Sequence, residues 1–174
     1  MVFYIAQFFG ILGLLAMIIS LFQKEKTKML FFVIFNGIFF AIEYLLLGAM
    51  SGMLSNLFGI LRTYTFMKKE SNPKLDKIPV LVFFIIAYII IGLVSFDGNI
   101  ISILPIIAEI IYILALWQKS VKLIRVGTLI MVILWLIYDI IVMAYPSAIT
   151  DLIVLISTLI AIFIHDINHK KVIN

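Results

Sequence analysis

One pattern returns after about 95 positions, and it constrains this chain more than any other feature. Residues 39–66 read FFAIEYLLLGAMSGMLSNLFGILRTYTF: an apolar helix, a Gly-Ala-Met-Ser-Gly turn, and a second helix running back. Residues 135–163 read WLIYDIIVMAYPSAITDLIVLISTLIAIF. Beyond the turn the offset is 95, with Ser55-Asn56-Leu57 falling on Thr150-Asp151-Leu152 and Thr63 on Thr158. Ahead of it an offset of 96 brings Glu43 onto Asp139, which makes the second turn one residue shorter than the first. Further upstream, Phe22-Gln23-Lys24 falls on Trp117-Gln118-Lys119, again at 95. Self-similarity at a fixed period marks a structural unit built more than once; here it is built twice, in the same orientation.

The unit is too apolar for water. Hydrophobic residues make up 65% of the 174, with a mean hydropathy of +1.27, against roughly 45–50% in a soluble domain. A core this small cannot hide that excess, so the bilayer is the expected solvent. A spanning helix needs about 20 mostly apolar residues, and seven stretches qualify: 4–22, 29–47, 51–67, 78–95, 100–117, 124–144 and 148–165. The N-terminus has no charged leader region and no cleavage signal, so the first stretch reads as a retained helix. With no cysteine, disulfides and thiolate metal sites are excluded. The net charge of +4 is spread between apolar stretches and forms no patch suited to nucleic acid.

The basic residues set the orientation. Lys24, Lys26 and Lys28 follow the first stretch, Lys68, Lys69, Lys74 and Lys77 the third, Lys119, Lys122 and Arg125 the fifth, and Lys170 and Lys171 the seventh. The alternate connections 48–52, 95–99 and 145–150 hold none, so twelve of the thirteen Lys and Arg fall on one side. The positive-inside rule makes that side cytoplasmic, with the N-terminus outside and the C-terminus inside. A three-helix unit that starts outside and ends inside needs one extra crossing before a parallel copy can follow. The expected fold is therefore an all-α integral membrane domain of seven transmembrane helices, 3+1+3. Residues 1–67 form the first triple-helix bundle, 68–99 a cytoplasmic loop and linker helix, and 100–174 the second bundle and tail. Parallel repeats about an axis along the membrane normal are one transporter construction.

Charge inside a bilayer costs at least about 2.5–3.5 kcal/mol per group at a helix centre, so Glu43, Arg62, Glu109, Asp139 and Asp151 need a reason. Helical spacing puts Asn36, Phe40 and Glu43 on one face; Asn56 shares a face with Thr63, and Ser55 with Arg62. Ser102, Pro105, Glu109 and Tyr112 form a stripe, as do Thr128, Val132, Trp135 and Asp139, and Asp151 with Thr158. The fourth stretch is almost purely aliphatic and reads as a lipid-facing linker. By depth, Glu43, Asn56, Asp139 and Asp151 form an outer ring of one amide and three carboxyls. Deeper, Arg62 pairs with Glu109 or Glu43, and Pro105 interrupts the fifth helix. The bland alternatives are aspartates solvated at the interface, an arginine locking carbonyls near Pro105, asparagines as interhelical glue and aromatics as packing. Four carboxyls face one guanidinium, so at least one is expected to hold a proton near neutral pH.

Leu45-Leu46-Leu47-Gly48, Leu61-Arg62-Thr63, Leu104-Pro105 and Trp135-Leu136-Ile137-Tyr138-Asp139 followed by Asp151 resemble, in that order, the YgjV-like bacterial inner-membrane proteins. That family is distantly similar to the SWEET and PQ-loop transporters and to the PnuC transporters. The resemblance implies a SWEET-like fold, an inner-membrane location and facilitated movement of small polar solutes. The Pro-Gln pair of the PQ-loop proteins is absent, since Ile106 follows Pro105, and the first two helices carry no proline.

The functional expectation is a transporter or facilitator for a small polar or cationic solute, linked to protons. Its pathway residues are Asn36, Glu43, Asn56, Arg62, Glu109, Tyr112, Trp135, Asp139 and Asp151, and its partners are membrane lipid, a small solute and protons. One alternative is a non-transporting scaffold or subunit held to a partner by its buried charges; a weaker one is an ion channel. No phosphate loop, zinc-protease motif or nucleophile elbow occurs, so neither an enzyme nor a cofactor is expected. His165 and His169 beside Asp166 have metal-ligand spacing but read as a charged cap on the last helix, so no metal site is expected.

Overall fold

The computed structural model describes residues 1–24, 26–69, 72–118 and 120–164. Seven α-helices cover most of them: α1 Val2–Leu21, α2 Lys26–Leu46, α3 Met50–Lys69, α4 Ile78–Ser95, α5 Leu104–Trp117, α6 Val121–Ile141 and α7 Tyr145–Ile162. There is no strand among the described residues. Five segments are long and apolar enough to cross a membrane: α1, α4, the run 100–117, α6 and α7. The apolar part of α2 is shorter, Phe31–Leu46. In α3, Arg62 and Asn56 lower the hydropathy. The helices leave an apolar exterior, with Phe8, Ile11, Ile90, Leu93, Ile133 and Ile160 among its exposed side chains. In water this surface would be an aggregation liability; in lipid it is solvated.

The expected fifth helix is split. A 3-10 turn, Ile100–Ile103, precedes α5, and Pro105 sits in the first turn of α5. A proline there loses no intrahelical hydrogen bond and needs no kink, which corrects the reading of Pro105 as an internal break.

The packing order describes a ring. α1 packs on α2, α2 on α3, α3 on α5, α5 on α6, α6 on α7, and α7 back on α1. α4 lies against α3 and α5. It is less of a lipid-facing strut than its composition suggests, because Phe84 and Tyr88 are buried in a cluster with Ile106 and Ile113. The close approaches use glycine. A methyl group at Gly127 of α6 would overlap Ala115 of α5.

The ends of the ring are marked by contacts. At one end Gln7 of α1 donates its side-chain amide to the Met143 carbonyl at 2.8 Å. At the other, the Lys69 ammonium sits 3.6 Å over the Trp117 ring, donates to the Trp117 carbonyl at 3.3 Å and pairs with Asp76 at 3.1 Å. The first two tie the end of α3 to the end of α5, and the third ties it to the loop ahead of α4.

The two turns named by the sequence are equal in length, not one residue different. Leu47–Ala49 joins α2 to α3 and Val142–Ala144 joins α6 to α7, three residues each. In the first, Leu47, Gly48 and Ala49 donate to the carbonyls of Glu43, Leu45 and Tyr44; in the second, Val142, Met143 and Ala144 donate to Tyr138, Ile140 and Asp139. The middle residue is left-handed in both, φ +74° at Gly48 and 61° at Met143. Every one of these positions is 95 residues from its counterpart. Matching Glu43 to Asp139 by chemistry had shifted the register by one, and the backbone restores it.

Candidate functional site

At offset 95 the pair Glu43-Tyr44 falls on Tyr138-Asp139, so acid and phenol change places between the two copies. α2 and α6 bring these residues to the middle of the ring. The Tyr44 hydroxyl donates to Asp139 Oδ1 at 2.6 Å. Tyr44, Trp135 and Tyr138 form a triangle with ring centroids 5.8–5.9 Å apart. Two further bonds hold Glu43 and Tyr138: the Ser147 hydroxyl donates to Glu43 Oε2 at 2.6 Å, while Ser51 and Tyr138 share a hydrogen bond of 3.0 Å. Tyr138 also accepts from the Gly52 amide at 3.1 Å.

Three of the four outer-ring residues come together here. The Asp139 and Asp151 carboxyls lie within hydrogen-bonding reach, with Glu43 close enough to act on Asp139 electrostatically. The Glu43 carboxylate rests against Gly10 of α1, where any side chain would overlap it. One oxygen of each acid, Glu43 Oε1, Asp139 Oδ2 and Asp151 Oδ2, is buried with no hydrogen-bond donor. Asn56 is not part of the cluster; its amide donates to the Gly52 carbonyl at 3.2 Å and it lines a separate hollow.

The second group sits one layer toward the lysine end. Arg62 of α3 pairs with Glu109 of α5, the first of the two pairings the spacing allowed. The guanidinium carbon lies 4.8 Å over the Tyr112 ring, and Trp135 donates its indole N–H to Glu109 Oε1 at 3.3 Å. Asn36 donates to the Gly13 carbonyl on α1 at 3.0 Å. The pair thus joins α3 to α5 and, through Trp135, to the aromatic triangle.

Four hollows surround these groups. At the turn end, both turns line a vestibule of about 380 Å³ floored by Ser51 and Tyr138, with Asp97 and Asn99 at its side. The Asn99 backbone N–H donates to Asp97 at 3.0 Å and holds that carboxyl below its usual range. At the lysine end, a hollow of about 650 Å³ lies between Thr63, Tyr112, Lys69, Asp76 and Trp117. Between α2, α3 and α5 lies an open-sided crevice of about 120 Å³, lined by Asn36, Ser55, Asn56, Arg62, Thr63 and Glu109. A larger one, about 330 Å³, lies between α1, α6 and α7, lined by Leu14, Thr128, Thr150, Ser157 and Thr158.

The two inner crevices use the same positions. Ser55 and Thr150, Thr63 and Thr158, Arg62 and Ser157, and Leu14 and Glu109 are each 95 apart. Where one crevice has Leu14 and Ser157, the other holds the Glu109–Arg62 ion pair. The second is therefore smaller and polar, and the first roomier and mostly apolar.

All nine residues expected from the sequence lie in the interior groups just described or on their crevice walls. Tyr44, Tyr138, Ser51, Ser55, Ser147 and Gly10 were missed. The exchanged Glu-Tyr and Tyr-Asp pairs at offset 95 were the signal for the tyrosines; the serines gave none. No group of three or more metal-ligating side chains occurs among the described residues. His165, Asp166 and His169 lie outside them.

A family model described as bacterial inner membrane protein, Imp-YgjV, matches residues 4–168, and the chain belongs to that family. No curated protein and no solved structure matches it.

Proposed function

We propose that this member of the bacterial inner-membrane YgjV family is a proton-linked transporter or facilitator for a small polar solute, its pathway running through the helical ring. The observation that carries the reading is where the charge sits. Glu43 is 0% exposed, Asp139 1%, Glu109 6% and Arg62 7%. A scaffold gripping a partner through intramembrane charge would present that charge on its outer face. These four are turned inward; Arg62 and Glu109 line a crevice, and further hollows lie at the two ends of the bundle. Intramembrane ionisable groups that face an interior mark solute and ion pathways.

The 3+1+3 arrangement supports the same reading. α2 and α6 share both helix bounds at one offset, α3 and α7 share their starts, the two turns share their geometry, and the α3–α5 and α7–α1 contacts are equivalent under it. The Tyr44–Asp139 bond joins two equivalent positions, as a contact lying on a two-fold axis must. Such an axis along the membrane normal, with seven spans, the N-terminus outside and the lysine end cytoplasmic, is the layout we propose. A reporter after Asn174 is then cytoplasmic and one inserted at Ser51 external; both on one side refutes it.

The three acids are the proton-handling group. None of the four hollows is lined by Glu43, Asp139 or Asp151, so a proton fits among them where a solute does not.

Uptake into proteoliposomes from about pH 5.5 to 8 tests this, a window that spans perturbed carboxyl titrations. A thermal-shift screen of sugars, nucleosides, vitamins and polyamines supplies the solutes. Glu109→Gln and Asp139→Asn are expected to change flux or its pH dependence while the protein still folds. Unchanged uptake in both variants removes the carboxyls from the mechanism.

A further inference from the structure

We infer that the crevice between α2, α3 and α5 is the solute site, and that it takes a small uncharged solute that both donates and accepts hydrogen bonds. This rests on the transport reading above and narrows it to one site and one chemical class.

The crevice is lined from three helices, α2, α3 and α5, and reaches the buried Arg62–Glu109 pair. Its α3 wall runs from Ser55 to Thr63, the central part of Met50–Lys69. Ser55 is 0% exposed and its hydroxyl has no partner in the protein. A buried polar group left unpaired is costly, so a solvated or ligand-bound Ser55 accounts for its place there. Asn36 and Asn56 each use one N–H on a backbone carbonyl, which leaves an amide oxygen and a second N–H on each. With the Ser55 and Thr63 hydroxyls, they make a lining that both donates and accepts.

Charge and size set the class. Arg62 and Glu109 cancel one another, so the wall carries no net charge to hold an ion. A hollow of about 120 Å³ suits a solute of the size of a urea-like amide or a three-carbon polyol, and the cancelled charge gives a polyamine nothing to pair with. The repeat-related crevice differs: Leu14 and Ser157 stand where this one has the ion pair, and Arg125 is the charged residue on its wall.

Two substitutions test the site without disturbing the fold. Ser55→Ala removes a hydroxyl that bonds to nothing in the protein. Gly59→Ala adds a methyl 3.6 Å from the Arg62 guanidinium and 3.7 Å from the Tyr88 hydroxyl, ordinary contact distances. Urea and glycerol permeation are read by stopped-flow light scattering of proteoliposomes, with radiolabelled spermidine counterflow as the second arm. The expected result is saturable urea or glycerol flux, reduced several-fold in both variants at unchanged thermal stability, with no spermidine exchange. Saturable urea or glycerol flux that both variants leave intact overturns the site. Spermidine exchange without urea or glycerol flux overturns the solute class and leaves transport standing. No flux of any solute, those of the thermal-shift screen included, overturns both.

Discussion

The contact between Gly10 and Glu43 gives the sharpest test of how the interior is held. In Gly10→Ala the new methyl overlaps the Glu43 carboxylate, which is 0% exposed and packed on every side. The carboxylate must move away from α1, and the 2.6 Å bond from Ser147 does not survive that movement. Overpacking of a filled site costs about 1–3 kcal/mol. The hydrogen bond contributes about 0.6 kcal/mol on the average for membrane interiors and up to ~1.7. Gly10→Ala should therefore destabilise by about 2–4 kcal/mol, and Ser147→Ala alone by only about 0.6–1.7. Because Gly10→Ala has already broken the bond, the double variant falls short of additivity by the worth of that bond. The assay is steric-trap or detergent unfolding of the four proteins of the cycle. A neutral Gly10→Ala, or strictly additive effects, refutes the proposed coupling of α1, α2 and α7 through Glu43.

Other expectations follow from single positions. Gly127→Ala should cost about 1–3 kcal/mol because Ala115 cannot move its Cβ aside, and Ala115→Gly on top of it should restore thermal stability. Met143→Gly should raise stability by about 1 kcal/mol by relieving a left-handed residue, whereas Gly48→Ala at the equivalent turn should lower it. Asp97 should titrate below the ordinary aspartate value in a carbon-detected NMR series, since the Asn99 N–H favours its ionised form. A depressed folded value means that the stabilisation of this loop is present above the unfolded value and lost as pH falls through the folded one. An Asp97 midpoint at or above the ordinary value contradicts this.

Much of the architecture was legible because a bilayer simplifies the signals. Apolar runs and lysine-rich connections located seven helices to within a few residues. Periodicity put Glu109, Tyr112 and Arg62 on facing stripes, and they meet. The partition of the outer ring was not legible. Glu43, Asp139 and Asp151 converge while Asn56 turns to a different hollow, and only the crossing of α2 and α6 decides that. The register error has the same source. Acid-to-acid matching follows chemistry, whereas the turn geometry at Gly48 and Met143 follows backbone, and the two differ by one residue. Tyr88 shows the limit for α4: an aliphatic composition conceals a single aromatic face that packs inward.

The central claim is that water and solute reach the polar interior from the lysine end. The chain has no cysteine, so Thr63→Cys provides a unique reporter at the position shared by the lysine-end hollow and the α2/α3/α5 crevice. A charged methanethiosulfonate reagent, membrane-impermeant and applied separately to each side of oriented vesicles, is the measurement. The account predicts rapid modification from the lysine-rich side, slowed by urea or glycerol at saturating concentration. Modification from neither side, in a variant that folds and inserts normally, contradicts it.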